Sequence, residues 1–272
     1  MSLRERIRRR LRKPQTPPAP YRPPPPRPPL SAYRLADPGL ASLTIADLHP
    51  ELRAALDAGR PATVLTEVHP EIFTAPIVSA DWLARLRAEL DALDAWAAQT
   101  GCRIEPPNSM NHYGVILDEI GLSAALHALM LLAIRPLAAQ AFPEVGGSSL
   151  DDHHSFIVEY QRGGDRDLGF HVDDSEVTLN LSLGPGFTGG ELYFEGRRCA
   201  QHRQTGCSLE DRFHWAHQPG VGLLHAGKHR HGALSTVAGR RRNLILWCRS
   251  TSYRDTHNPE ICPEWCQRSR AR

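Results

Sequence analysis

The chain has 272 residues, 41% hydrophobic and 23% charged, which is enough apolar material for one sizeable domain or two small ones. No run of eighteen apolar residues occurs, so no membrane-spanning helix is expected, and the basic start "MSLRERIRRRLRKP" lacks the apolar block of a secretory signal. Six scattered cysteines do not resemble a disulfide framework, so the expectation is a cytoplasmic protein with reduced thiols.

Residues 1–30 hold nine Lys/Arg and one Glu, a balance of +8 against +2 for the whole chain, so the remainder carries −6. From Pro14 to Pro29 the sequence reads "PQTPPAPYRPPPPRPP". Proline removes amide donors and fixes φ, so residues 1–31 are read as a disordered, basic, Pro-rich tail. Its charge suits nucleic acid only weakly, and a solvated arm is the plainer reading.

Residues 32–150 read as helical. Ser79 is a plausible N-cap, Leu83, Leu86, Leu90, Leu93 and Ala97 follow at helical spacing, and Gly101 ends the helix. A second apolar helix is expected from Ser123 to Ile134, with Pro136 kinking it or opening a new turn. Between them, "EPPNSMNHYGVILDEIGL" is unusually rich in Asn, Tyr and Gly for a plain connection; its His112 reads as a structural or surface residue and not as a ligand.

After Gly147 the texture changes to short runs rich in β-branched, aromatic and leucine residues: "HHSFIVEYQ", "EVTLNLSLG", "GGELYFEG", "GVGLLHAG" and "RNLILWCRS". Gly- and Pro-bearing turns separate several of them, which indicates a jelly roll, sandwich or barrel over residues 151–250. The fold class is therefore α+β, with helices packed on an all-β core. Residues 251–272 form a Cys-containing C-terminal tail. There Cys262 and Cys266 form one tight pair, and with Cys248 and His257 they are the residues from which a small zinc site would be built. Cys199 and Cys207 read as reduced thiols in a loop. His153 and His154, before the first core strand, read as structural or pocket-lining.

The chemistry starts at "FHVDD". His171 and Asp173, two apart at the lip of a strand, share one face and look like two-thirds of a metal site. Downstream, "LLHAGKHRHGA" offers His225, His229 and His231. Two His and one carboxylate hold Fe(II) while leaving three positions open, as in non-haem oxygenases, although a hydrolytic zinc site can use the same set. Arg240, Arg241 and Arg242 open the last strand, and alternation turns Arg241 away from its neighbours. An arginine facing an apolar interior needs an anion, and its planar fork suits a carboxylate. A dicarboxylate chelating iron at one end and meeting Arg241 at the other describes 2-oxoglutarate. Its ten-residue spacing to Arg241 favours His231 over His229 as third ligand, with His225 in a neighbouring pocket role.

With these residues in place, the chain resembles the 2-oxoglutarate- and Fe(II)-dependent dioxygenases of the prolyl 4-hydroxylase type. The blocks from Pro106 to Ser250, "PPNSMNHYGVILDEIGL", "LGFHVDDSEVTLNLSLG", "FTGGELYFEG" and "GRRRNLILWCRS" among them, are similar to the 2-oxoglutarate and iron-dependent oxygenase domain-containing protein 2 subfamily. The resemblance implies a double-stranded β-helix and iron ligands His171, Asp173 and His231, the catalytic and metal-binding set. It implies Arg241 and Tyr160 as contacts of the far carboxylate of 2-oxoglutarate. Thr178, Asn180 and Ser182 alternate along the next strand as further candidate co-substrate contacts, with residues 196–219 shaping the pocket. Fe(II), 2-oxoglutarate, O₂ and, through iron re-reduction, ascorbate are the implied cofactors. Asp173 favours hydroxylation over halogenation, which would need that position open. Ser235-Thr236-Val237 departs from the Pro-Val found in many prolyl hydroxylases. The implied substrate is a prolyl or other protein side chain or a small molecule, and no membrane partner is expected. The alternatives are a nucleic-acid or metabolite hydroxylase or demethylase, or a non-catalytic jelly-roll protein that binds iron and 2-oxoglutarate.

Overall fold

The computed structural model describes residues 27–258 and 261–266. The tail expectation for residues 1–26 lies outside the described residues; among the described ones the first element is a 3₁₀ turn at Leu30–Ala32. Twelve strands follow: β1 (Thr66–His69), β2 (Ile72–Pro76), β3 (Gly114–Ile116), β4 (Asp152–Gln161), β5 (Leu168–His171), β6 (Val177–Ser182), β7 (Phe187–Gly189), β8 (Leu192–Arg197), β9 (Arg212–Trp215), β10 (Val221–Ala226), β11 (His229–Ala233) and β12 (Thr236–Arg249). The helices are α1 (Pro50–Asp57), α2 (Ala80–Thr100), α3 (Ser123–Ala141) and α4 (Thr251–Thr256).

A large sheet has the order β1-β2-β10-β6-β12-β4-β3, and a small one β5-β11-β8-β9. The chain passes from β4 to β5, back to β6, over to β8 and β9, back to β10, over to β11 and back to β12. That winding between two antiparallel sheets is the double-stranded β-helix. The period of two sorts the side chains. On β6, Val177, Leu179 and Leu181 join the core shared with the helices, as do Leu244, Leu246 and Cys248 on β12. The alternate positions Thr178, Asn180, Arg241, Ile245 and Trp247 line the space between the sheets.

Two elements of the N-terminal half differ from the helical reading. The β1–β2 hairpin and β3 extend the large sheet at its two edges. Each strand is three to five residues long, too short to show alternation in the sequence. The second helix changes form where Pro136 is expected to disturb it: a π turn occupies Met130–Ile134, and a new helical segment, Arg135–Ala141, carries the path on to Ala141. Pro136 stands in the first turn of that segment, where the amide it lacks would have no intrahelical partner. By length and composition α3 could cross a membrane, but Leu126, Leu129, Ala133, Ile134 and Leu137 are buried in the core that joins helices and sheet. Helix α2 matches its caps: the Ser79 hydroxyl accepts from the Trp82 amide, and Gly101 takes the left-handed conformation.

Charges fasten α2 to the sheet. Arg240 and Arg242, on the outer face of β12, pair with Glu159 of β4 and with Asp94, and Arg242 also with Asp91. Glu89, 1% exposed within α2, accepts from the Tyr33 hydroxyl at 2.6 Å and from the Ala36 and Asp37 amides at 2.9 and 2.8 Å. Glu89→Ala strands those three donors and is expected to cost about 3 kcal/mol. A urea-unfolding midpoint within error of wild type would contradict that role.

Candidate metal centre

His171 ends β5 and His231 sits in β11, and the two are direct partners across that strand pair. The register alone therefore sets the two imidazoles side by side, with ring centroids 4.3 Å apart. Asp173 follows in the turn after β5. Its amide donates to the Gly227 carbonyl at 2.8 Å, and the Lys228 ammonium donates to the Asp173 carbonyl at 3.2 Å. Gly227 is required there, since a Cβ would stand 2.1 Å from the Ser175 carbonyl. The Asp173 carboxylate lies 3.5 Å from His171 Nε2 and 3.7 Å from His231 Nε2. One donor atom from each of the three residues falls within 4.8 Å of the others, close enough to surround one cation.

The tautomers suit such a use. His171 Nδ1 contacts the Gly169 carbonyl and His231 Nδ1 the His229 carbonyl, each at 2.9 Å. A carbonyl only accepts, so Nδ1 carries a proton on each ring and Nε2 is the atom turned toward Asp173. Against the effect of burial, that carboxylate holds His171 above the ordinary histidine value. Burial brings His231 down to about 3, so it is neutral at physiological pH. Burial works against the charge of Asp173, but His231, His171 and His225 outweigh it and hold the carboxyl below the usual carboxylate range. Thr178 donates to the same carboxylate at 2.7 Å.

The three residues line one pocket together with Asn111, Tyr160, Asn180, Arg241 and Trp247. Arg241 is 1% exposed on its wall. It donates to the Gly190 carbonyl and to Asn243 Oδ1, and its guanidinium lies 4.3 Å over the Tyr160 ring. None of these partners is an anion. Burial pulls the guanidinium down to about 10, which leaves it cationic at neutral pH. The Tyr160 hydroxyl accepts from the Asn111 amide at 2.9 Å.

Not every candidate belongs here. Asn180 lines the pocket and accepts from Asn243 at 2.6 Å. Thr178 also lines it, but its hydroxyl is spent on Asp173 and Ser175. Ser182 points the same way along β6 yet lies beyond the lining, because the strand outruns the pocket. Residues 196–219 contribute nothing to the lining; Asn108, Met110 and Asn111 close that side instead. The Asn-rich composition of that connection was its only trace in the sequence. His225 is fully buried, 4.0 Å from Asp173 and outside the three-residue cluster. His229 lines a different cleft with Arg197. His112 is exposed against Asp165, His153 faces His127, and His154 packs on Phe156 and Trp247. Of the four residues weighed for zinc, only Cys262 and Cys266 meet. Cys248 is buried in β12 among the helix-facing residues, and His257 stacks on Tyr253.

The donor set tests well against the metal that such a fold implies. Two imidazoles and one carboxylate suit a divalent transition metal and leave further positions to a co-substrate.

Known proteins point the same way. The profile of the OGFOD2-like domain matches residues 30–147. A 2-oxoglutarate and iron-dependent oxygenase domain-containing protein, CP2 of Arabidopsis thaliana, is 44% identical over 205 residues, 75% of this chain and 52% of its own length. The chain thus spans about half of that plant relative. The 2-oxoglutarate and iron-dependent oxygenase domain-containing protein 2 of Mus musculus is 36% identical over 252 residues, 88% of this chain and 68% of its own. Among solved structures, a Pseudomonas putida prolyl-4-hydroxylase aligns at 19% identity and a TM-score of 0.45, covering 75% of this chain and 97% of that one. On its identity to the mouse protein over two thirds of that protein's length, the chain belongs to the 2-oxoglutarate- and iron-dependent oxygenase domain-containing proteins, in their OGFOD2-like branch.

Proposed function

We propose that this chain is an Fe(II)- and 2-oxoglutarate-dependent dioxygenase that hydroxylates a C–H bond, of a prolyl or other protein side chain or of a small molecule. The observation that carries the reading is a buried arginine with no ion-pair partner among the described residues, in the same pocket as two histidines and a carboxylate. A buried cation in that state is costly until an anion arrives. A dicarboxylate reaching from the metal to Arg241 supplies one.

Under this reading His171, Asp173 and His231 hold Fe(II). Bound iron and 2-oxoglutarate together supply the oxidative decarboxylation that activates O₂. The protein contributes geometry and exclusion of water. The Gly169 and His229 carbonyls fix the imidazoles, Thr178 fixes the carboxylate, and Arg241 and Tyr160 receive the far end of the co-substrate, with Asn111 orienting the tyrosine hydroxyl. Phe156, Val158, Ile245 and Trp247 keep the surrounding wall apolar. Asp173 fills the position that a halogenase leaves open, which supports hydroxylation.

The test is succinate formation from 2-oxoglutarate with added Fe(II) under air, without any substrate. Slow, iron-dependent release of succinate supports the assignment. Tight 2-oxoglutarate binding with no turnover under any iron condition would favour a binding protein. Hydrolytic activity with zinc and no 2-oxoglutarate binding would overturn the reading.

A further inference from the structure

A second group of metal-type ligands lies away from the pocket. Cys199 follows β8, and His202 closes the 3₁₀ turn Ala200–His202. Cys262 and Cys266 come from the C-terminal segment. His202 Nδ1 stands 3.2 Å from Cys199 Sγ, 3.5 Å from Cys262 Sγ and 3.8 Å from Cys266 Sγ. All four donor atoms lie within 4.8 Å of one another.

We propose that Cys199, His202, Cys262 and Cys266 bind one structural zinc ion, separate from the iron site. Tetrahedral zinc with bonds of about 2.3 Å to sulfur and about 2.0 Å to nitrogen sets sulfur–nitrogen separations near about 3.5 Å, and the three observed values straddle that figure. Three thiolates and one imidazole are a soft set that selects zinc over the hard cations. Four protein donors leave no position open, which marks a structural rather than a catalytic ion.

The spacing fits as well. Cys199-x₂-His202 and Cys262-x₃-Cys266 are two tight pairs, brought together by the fold from about sixty residues apart. The shell around the donors is in place. Cys199 and Cys266 are buried, and the Cys199 amide donates to Cys266 Sγ at 3.4 Å, the kind of bond that steadies a thiolate. A zinc ion with three thiolates carries one net negative charge. The guanidinium of Arg197, 3% exposed and held by Glu71 and Glu144, lies over the ring of Trp265, next to Cys266.

The ion would tie the C-terminal segment to the end of β8. That strand carries Phe194, whose ring packs on His231 and His225. The zinc would therefore brace the wall behind the proposed iron ligands without entering the pocket.

The experiment uses the full chain carrying His171→Ala and His231→Ala, so that the first site cannot hold the ion. After dialysis against a mild chelator, elemental analysis should find about one zinc per chain. Adding Cys262→Ser and Cys266→Ser should lower that at least about tenfold. Cobalt(II) refilling should give the intense visible bands of a tetrahedral thiolate site, lost in the same variant. If the cysteine variant fails to fold, zinc content and the cobalt spectrum of the His171→Ala/His231→Ala chain still decide the matter. A zinc-free chain with free thiols, or one whose non-reduced mass shows a disulfide among these cysteines, overturns the proposal. In the chain with His171 and His231 intact, zinc at this site without any succinate formation would instead count against the proposed function alone.

Discussion

His231→Ala is expected to abolish metal binding at the His171–Asp173–His231 site, not to slow a loaded site. Losing an outer-shell partner of a metal ligand typically costs 10–100-fold in affinity, so losing one of three ligands should cost on the order of 1000-fold or more. The geometry makes this specific. His231 and His171 are register partners, and only His231 among the three downstream histidines offers its Nε2 to the shared cluster. His229, two residues earlier, belongs to another cleft. Anaerobic calorimetry with Fe(II), or with Mn(II) as a redox-stable stand-in, is the direct measurement. The His229→Ala chain should keep its metal stoichiometry, at some cost in stability from the cavity left beside Phe194. Loss of binding in His229→Ala with retention in His231→Ala would reverse the ligand assignment.

Arg241→Ala should leave the metal in place and raise the 2-oxoglutarate requirement. Truncating one partner of a buried, hydrogen-bonded charge pair costs about 2–4 kcal/mol, or roughly 30- to 1000-fold in the concentration needed for half-saturation. Arg241→Lys should fall between, because an ammonium keeps the charge but loses the planar fork that meets a carboxylate with two parallel bonds. The informative comparison is between the two measurements. Iron affinity should change little, while 2-oxoglutarate titration shifts by orders of magnitude. If both variants bind 2-oxoglutarate as tightly as wild type, Arg241 serves the wall and not the co-substrate. If Arg241→Ala loses iron as fully as His231→Ala, the two ends of the pocket are not separable in the way the geometry indicates.

Much of the site was legible because its signals are local. His171 and Asp173 stand two apart, and Arg241 alternates with Arg240 and Arg242, so strand periodicity orients them without knowledge of their neighbours. The structure bears out that alternation, with Arg241 buried in the pocket and its neighbours paired to Glu159, Asp91 and Asp94 on the outer face. Ser79 and Gly101 bounded α2 for the same reason, since caps act within one turn. Pro136 was readable for the same reason: the helix turns irregular up to Ile134 and a new helical segment opens at Arg135 with the proline in its first turn.

What the sequence by itself determined, then, was the kind of chemistry: a His-x-Asp lip, histidines downstream, and an inward arginine on the last strand. Only the tertiary structure decided which groups share a space. It brought Asn111 to Tyr160 across 49 positions, set His231 and not His229 against His171, and joined Cys199 and His202 to Cys262 and Cys266 in place of Cys248 and His257. The physical reason is that side-chain direction follows from a backbone period of two or 3.6 residues, whereas meetings across a jelly roll depend on register and strand order. Those are set by the whole core at once, and no short stretch of the chain contains them.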